Sequence, residues 1–333
     1  MIPLLVCDDS NMARKQLIRA LPAEWPVSLS QASNGEEALT AIRQGLGQVM
    51  LLDLTMPVLD GYQTLAALRA EGLSSQVIVV SGDVQEEAVR RVRELGALAF
   101  IKKPADPEIL RQTLIDLGLF NPQSTPAAQA QTAALSDLKV SFRDALREVS
   151  NVAMGRAAAL LAKVLGVFVQ LPVPQVNIFE VSELHMTLLD AQRGERFSAI
   201  CQGFIGEAIA GEALLLFHDS EVDDIARLLG WQPKTEAENS EMLLDLASIL
   251  IGACLAGVAE QLDLRFSQGH PQLLGQHASL DQLIQINRQR WRKTLAVEIS
   301  YSLEGHAIHF DLLLLFTEDS IKRLTAKIGY LME

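Results

Sequence analysis

The chain has 333 residues, 49% of them apolar, and a formal net charge of −13. That length suggests about two domains, and the apolar share supports packed cores rather than disorder. The acidic balance argues against nucleic acid or an anionic membrane surface as partner, because phosphate groups demand a basic face. From the N-terminus, Ile2–Cys7, Val27–Ala32, Val49–Asp53, Val77–Ser81 and Ala99–Lys102 read as buried strands. Amphipathic stretches at Asn11–Leu21, Glu36–Gln44, Tyr62–Glu71 and Gln85–Glu94 alternate with them. Strands alternating with helices imply a doubly wound, five-stranded parallel sheet over residues 1–119, with its chemistry at the carboxyl ends of the strands.

A segment without charge or large apolar residues, Asn121 to Ala134, then breaks the pattern; residues 120–137 are expected to be a flexible linker. Residues 138–333 contain an internal repeat. Asp144-x-x-x-Glu148-x-x-Asn151-x-x-x-Gly155 with Pro174 downstream is echoed by Glu241-x-x-x-Asp245-x-x-Ser248-x-x-x-Gly252 with Pro271. Every pair shares one offset, 97 (for example 248−151, 252−155, 271−174). Leu214-Leu215-Leu216-Phe217 likewise resembles Leu313-Leu314-Leu315-Phe316. Two copies of a helix-plus-strands unit predict one pseudo-symmetric α/β domain.

The Met1–Val6 start has no basic stretch ahead of its apolar run, so no secretory leader is expected. Cys7, Cys201 and Cys254 form no CxxC pair and are expected as reduced thiols in a cytoplasmic protein. The apolar stretch Ser248–Ala259 is too short to span a bilayer, so no membrane insertion is expected.

The candidate chemistry of the first domain is a cluster of carboxylates. Asp8 and Asp9 end the first strand and Asp53 the third, so the three converge, repel one another and favour a hard divalent cation such as Mg²⁺. Such an ion can bridge Asp53 and an incoming phosphoryl group. Ser81 is placed to hydrogen-bond a phosphoryl oxygen, Lys103 supplies a positive charge, and the Thr55 backbone carbonyl can complete the metal shell. The set resembles the response-regulator receiver family over residues 1–119. It does so through Asp8-Asp9, Ala32-Ser33-Asn34-Gly35-x-Glu37-Ala38-Leu39, Asp53-x-x-Met56-Pro57-x-x-Asp60-Gly61, Ser81-Gly82 and Lys103-Pro104. The resemblance implies Asp53 as phosphoacceptor, Asp9 as a direct metal ligand, Asp8 as holder of metal-bound water and Phe100 as the aromatic switch partner of Ser81. It also implies a sensor histidine kinase as partner. Asp60, in an Asp-Gly dipeptide, reads as a turn residue.

In the second domain, Asp144, Glu148 and Asn151 share one helix face. With Pro174 they resemble the signature of the CheC, CheX and FliY family of chemotaxis phosphatases. That likeness implies an enzyme, a protein aspartyl-phosphate phosphatase acting on a CheY-like receiver. Asn151 would orient the attacking water and Glu148 would contact the receiver's site lysine. The second copy departs from the signature at Glu241, Asp245 and Ser248 and is expected to be vestigial. Asn151 is expected on an exposed face. His306-x-x-His309 is not expected to bind metal, His218-Asp219-Ser220 reads as a helix cap rather than a triad, and Cys254 reads as core.

The reading is therefore a two-component response regulator, phosphorylated on Asp53, with a phosphatase output in chemotaxis-type signalling. The rival reading is a non-catalytic, phosphorylation-dependent adaptor. A DNA-binding regulator is disfavoured, since no basic recognition helix is present. Hydrolysis is expected in trans, because erasing its own mark would leave the chain without an output. A linker of 18 residues nevertheless spans on the order of 20–25 Å and permits an encounter within the chain.

Overall fold

The structure is a computed structural model and describes residues 1–122, 135, 138–180, 196–278 and 293–332. Most of the expected linker therefore lies outside the described residues. The chain divides into two compact units, residues 1–148 with Met332 and residues 149–331. The division falls inside a helix, so residues 138–148, assigned by sequence to the second domain, group with the first unit.

The first unit holds strands β1 (Ile2–Cys7), β2 (Val27–Ala32), β3 (Val49–Leu52), β4 (Gln76–Ser81) and β5 (Ala99–Lys102). Helices α1 (Asn11–Ala20), α2 (Gly35–Arg43), α3 (Gly61–Glu71), α4 (Glu86–Glu94) and α5 (Pro107–Asp116) follow them in turn. All pairings are parallel, in the order β2-β1-β3-β4-β5. Strand residues feed two cores alternately. Leu4, Val6, Leu51 and Val80 pack with Ile18 of α1 and Leu110 of α5, while Leu5, Met50, Leu52 and Val79 pack with Leu39, Leu65 and Val92 of α2, α3 and α4. Burial on both faces is why these strands read as unbroken apolar runs.

Short polar residues fix where the helices begin. Ser10 accepts from the Ala13 N–H, Asn34 from Glu37 and Asp106 from Glu108 and Ile109. Asp60 forms a capping box with Gln63, so the residue read as a turn is the start of α3. α5 was not among the stretches read as helical, although Asp106-Pro107 is a helix-start pair.

The second unit begins within α6 (Phe142–Leu165). After it come β6 (Val169–Gln170), β7 (Gln175–Glu180), β8 (Phe197–Gly206), β9 (Ile209–His218) and α7 (Val222–Leu228). The second copy follows as α8 (Glu236–Gln261), β10 (Ser267–Gln268), β11 (Gln272–Ala278), β12 (Lys293–Leu303), β13 (His309–Phe316) and α9 (Glu318–Met332). The predicted repeat is thus matched element by element.

The eight-stranded antiparallel sheet runs β10-β8-β9-β13-β12-β6, with β11 also beside β8 and β7 also beside β12. Each copy therefore lends its first two strands to the other. At the centre Leu214 pairs with Leu313, the residue equivalent to it in the repeat, so the pseudo-dyad passes between them. The apolar stretch Ser248–Ala259 lies within α8, a 26-residue helix long and apolar enough to cross a membrane, yet more than half of its apolar window is buried in the unit. Gly257 lets it approach α6: a Cβ there would lie 2.8 Å from the Cα of Ala153. Gln261 Nε2 donates to the Val149 carbonyl at 2.8 Å, and Arg156 pairs with Glu260.

Candidate functional site

The carboxyl ends of β1, β3, β4 and β5 bring together Asp8, Asp9, Asp53, Ser81 and Lys103. Carboxylate oxygens of Asp8, Asp9 and Asp53 all lie within 4.8 Å of one another. Asp8, Asp53, Ser81 and Lys103 are buried. Lys103 Nζ is 2.7 Å from Asp8 Oδ2 and 3.2 Å from Asp53 Oδ2. Ser10 N–H donates to Asp8 Oδ1 at 2.9 Å, and the Arg14 guanidinium donates to the Asp8 carbonyl. Thr55 is buried in the loop after β3, and Phe100 is half-buried in β5, beside Val79 of β4.

The same unit contains the start of α6, and three of its side chains meet this cluster. Asp144 accepts from the N–H groups of Asn11 (3.1 Å) and Met12 (2.8 Å). Arg147 lies 3.3 Å from Asp9 Oδ2 and 3.3 Å from Asp144 Oδ1. Glu148 Oε1 lies 3.1 Å from Lys103 Nζ, with only 4% of the glutamate exposed.

Burial and crowding decide the protonation of this group. Burial raises Asp53 well above the usual carboxylate range, against the pull of Lys103 and with the push of Asp8, Glu148 and Asp9. Burial raises Asp9 to about 6, with Asp8 adding to the rise and Arg147 opposing it. Glu148 is raised to about 7 by burial, opposed by Lys103. Burial alone would lower the Lys103 ammonium, but Asp53, Asp8 and Glu148 together hold it well above its ordinary value.

Five carboxylates, those of Asp8, Asp9, Asp53, Asp144 and Glu148, thus face two cations, Lys103 and Arg147. Asp53 Oδ1 is buried and has no hydrogen-bond donor among the described residues. The surplus of negative charge and this unsatisfied acceptor fit a hard divalent cation. Arg147, on Asp9, would compete with such an ion for that carboxylate. Arg147→Ala is expected to tighten Mn²⁺ binding to the chain roughly fivefold, about 1 kcal/mol for a partly exposed ion pair. Titration followed by electron spin resonance measures it, and weaker binding in the variant would contradict the competition.

A second packing constraint surrounds Asp53. A Cβ at Gly61 would lie 2.3 Å from the Asp53 carbonyl oxygen and 2.8 Å from the Leu54 Cα, both backbone atoms. Gly61→Ala is expected to cost roughly 2–4 kcal/mol, since backbone rather than a flexible side chain must give way. An unchanged denaturation midpoint would show that the loop relaxes freely.

Asn151 follows Glu148 by three residues on α6 and is buried, 6% exposed, not exposed as the sequence suggested. The second copy's Glu241, Asp245 and Ser248 are all exposed. Pro174 directly precedes β7. Arg147 was not anticipated; it lies between two signature residues, and its contact with Asp9 is separated from it by 138 positions, beyond any local pattern. Asp219 accepts from Ser198 Oγ at 2.8 Å, and His218, which precedes the helical turn Asp219–Glu221, makes no side-chain cap hydrogen bond. His309 Nδ1 lies 3.5 Å from Glu221, and Cys254 is core, its thiol pushed up to about 12 by burial.

Residues 4–115 match the family model for the response regulator receiver domain. A protein-glutamate methylesterase/protein-glutamine glutaminase from Halalkalibacterium halodurans is 37% identical over 123 residues, 34% of this chain and 35% of that protein. The chain spans 35% to 49% of the length of the first curated relatives it matches. Among solved structures, Thermotoga maritima FliY has a TM-score of 0.42 at 17% identity, covering 58% of this chain and 98% of that one. A putative chemotaxis protein from Desulfovibrio vulgaris Hildenborough has a TM-score of 0.37 at 13% identity, covering 51% and 97%. Residues 4–115, with their five-stranded parallel sheet and convergent carboxylates, are a response regulator receiver domain, and a second α/β unit follows it in the chain.

Proposed function

We propose that Asp53 is the phosphoacceptor of this receiver domain and that the α6 face bearing Glu148 and Asn151 hydrolyses aspartyl phosphate on a CheY-like receiver. In the first step the Asp53 carboxylate attacks phosphorus of a phosphodonor, a histidine kinase or an acyl phosphate, and the donor leaves. Lys103 and Ser81 face the incoming phosphoryl oxygens. Mg²⁺ held by Asp8, Asp9, Asp53 and the Thr55 carbonyl would supply charge neutralisation when bound. Phe100 and Ser81 then carry the switch to the surface of α4 and α5.

The observation that supports the second half most strongly is the Glu148–Lys103 ion pair at 3.1 Å. A receiver lysine is the partner that the signature's resemblance assigns to its glutamate. A receiver already holds the phosphoryl group, so a phosphatase need only orient a nucleophile. An amide suits that task because it donates and accepts without titrating. The protein is placed in the cytoplasm, in chemotaxis-type signalling. The test is phosphate release from a purified, phosphorylated CheY-type receiver and from the phosphorylated chain itself, each measured with and without Asn151. Release that never depends on Asn151 would overturn the reading.

A further inference from the structure

The signature face is already engaged. Asp144, Arg147 and Glu148 stand at i, i+3 and i+4 on α6, so they form one stripe. Their contacts go to three different parts of the receiver pocket. The first turn of a helix leaves N–H groups without intrahelical partners. In α1, the Ala13 N–H is satisfied by Ser10 Oγ, and the Asn11 and Met12 N–H groups are satisfied by the two oxygens of Asp144. A carboxylate at a helix N-terminus is also favoured by the helix dipole. Arg147 reaches Asp9 and Glu148 reaches Lys103.

Other contacts hold the approach to this helix in place. Asn11 Nδ2 donates to the Lys139 carbonyl at 3.0 Å, and Leu135 and Leu138 pack against the core around α1 and α5. A buried ion pair such as Lys103–Glu148 is costly to break, since each charge left alone loses both partner and water. A separate receiver would have to displace all of these contacts.

We propose that the aspartyl phosphate this face hydrolyses is the one on the chain's own Asp53, with Asp144 as the residue that sets the helix in register by capping α1. The proposal rests on the phosphatase reading above and replaces the expectation of a separate substrate. In the step, a water oxygen attacks phosphorus and the bond from phosphorus to the Asp53 carboxylate oxygen breaks. The carboxylate leaves with the bonding pair, and the water's proton passes to phosphate or solvent. The products are inorganic phosphate and unmodified Asp53, and no further reactant is needed. The function that follows is a timer, in which α6 sets the lifetime of the phosphorylated state.

The experiment uses the full chain, phosphorylated with ³²P-acetyl phosphate and Mg²⁺ and then freed of donor. Decay of the label is expected to be first order, with one rate over about a hundredfold range of protein concentration, as an intramolecular reaction requires. Excess unlabelled wild-type chain is expected not to speed decay of labelled Asn151→Ala. Asp144→Ala should slow decay about tenfold, and Asp144→Asn, which keeps one acceptor, should recover part of the rate. A rate that rises with concentration, or rescue of labelled Asn151→Ala by added wild-type chain, would overturn self-hydrolysis while leaving the phosphatase reading intact. Decay at the wild-type rate in both Asn151→Ala and the isosteric Glu148→Gln, at every concentration, would remove the phosphatase reading itself. Glu148→Gln also covers the case in which Asn151→Ala fails to fold.

Discussion

A chain carrying Asp53→Ala is expected to take up no phosphoryl group from acetyl phosphate and Mg²⁺, where the wild-type chain takes up one. The expectation follows from the geometry of the pocket. Asp53 is the carboxylate at the centre of the cluster, with Lys103 3.2 Å away on one oxygen and the other oxygen without a donor. Asp8 is committed differently, to the Ser10 N–H at 2.9 Å and to Lys103 at 2.7 Å. Asp9 is held by Arg147. Among these three carboxylates Asp53 has both oxygens without a hydrogen-bond donor among the described residues, and Lys103 stands beside it to neutralise charge on a transferred phosphoryl group. Intact-mass measurement reads the result as one added phosphoryl group against none. Full labelling of the variant would move the phosphoacceptor elsewhere. Because the alanine also relieves crowding among the carboxylates, the variant is expected to fold at least as stably as the wild type.

The second large effect is expected at Asn151. With acetyl phosphate in excess, the wild-type chain should turn over donor continuously, releasing inorganic phosphate as Asp53 is charged and discharged. Asn151→Ala is expected to lower this steady rate by roughly 10²-fold, the scale of a positioned nucleophile or a single polar contact made in the transition state. Receiver labelling should rise at the same time, since charging continues while discharge slows. That pair of changes separates loss of the phosphatase from loss of the receiver, in which both quantities fall. Asn151 is 6% exposed, and the alanine removes its carboxamide while leaving the Cβ in place.

The receiver fold was legible because its strands are buried on both faces and so read as apolar runs, and because the chemistry of such sheets gathers at strand ends. α5 escaped notice although Asp106 and Pro107 announce it; its apolar positions, Leu110 and Leu114, are too few to stand out by periodicity. In the second unit the common offset revealed two copies, yet not that β7 pairs with β12 and β11 with β8. Which strands exchange is decided by contacts far apart in sequence, where a repeat carries no information. The same limit hid Arg147, whose partner Asp9 lies in the first strand-end loop. The exposure of Asn151 was misjudged for a related reason. A polar stripe on a helix reads as solvated unless its cover is known, and burial is a property of the folded chain rather than of the stripe.

The most direct test of the account compares the lifetime of phospho-Asp53 in Asn151→Ala with that in Ser248→Ala, each in the intact chain after donor removal. The two positions are repeat equivalents on α6 and α8, one buried and one exposed. A phospho-Asp53 lifetime more than about tenfold longer is expected in Asn151→Ala, and a wild-type lifetime in Ser248→Ala. Equal lifetimes in the two variants would contradict it.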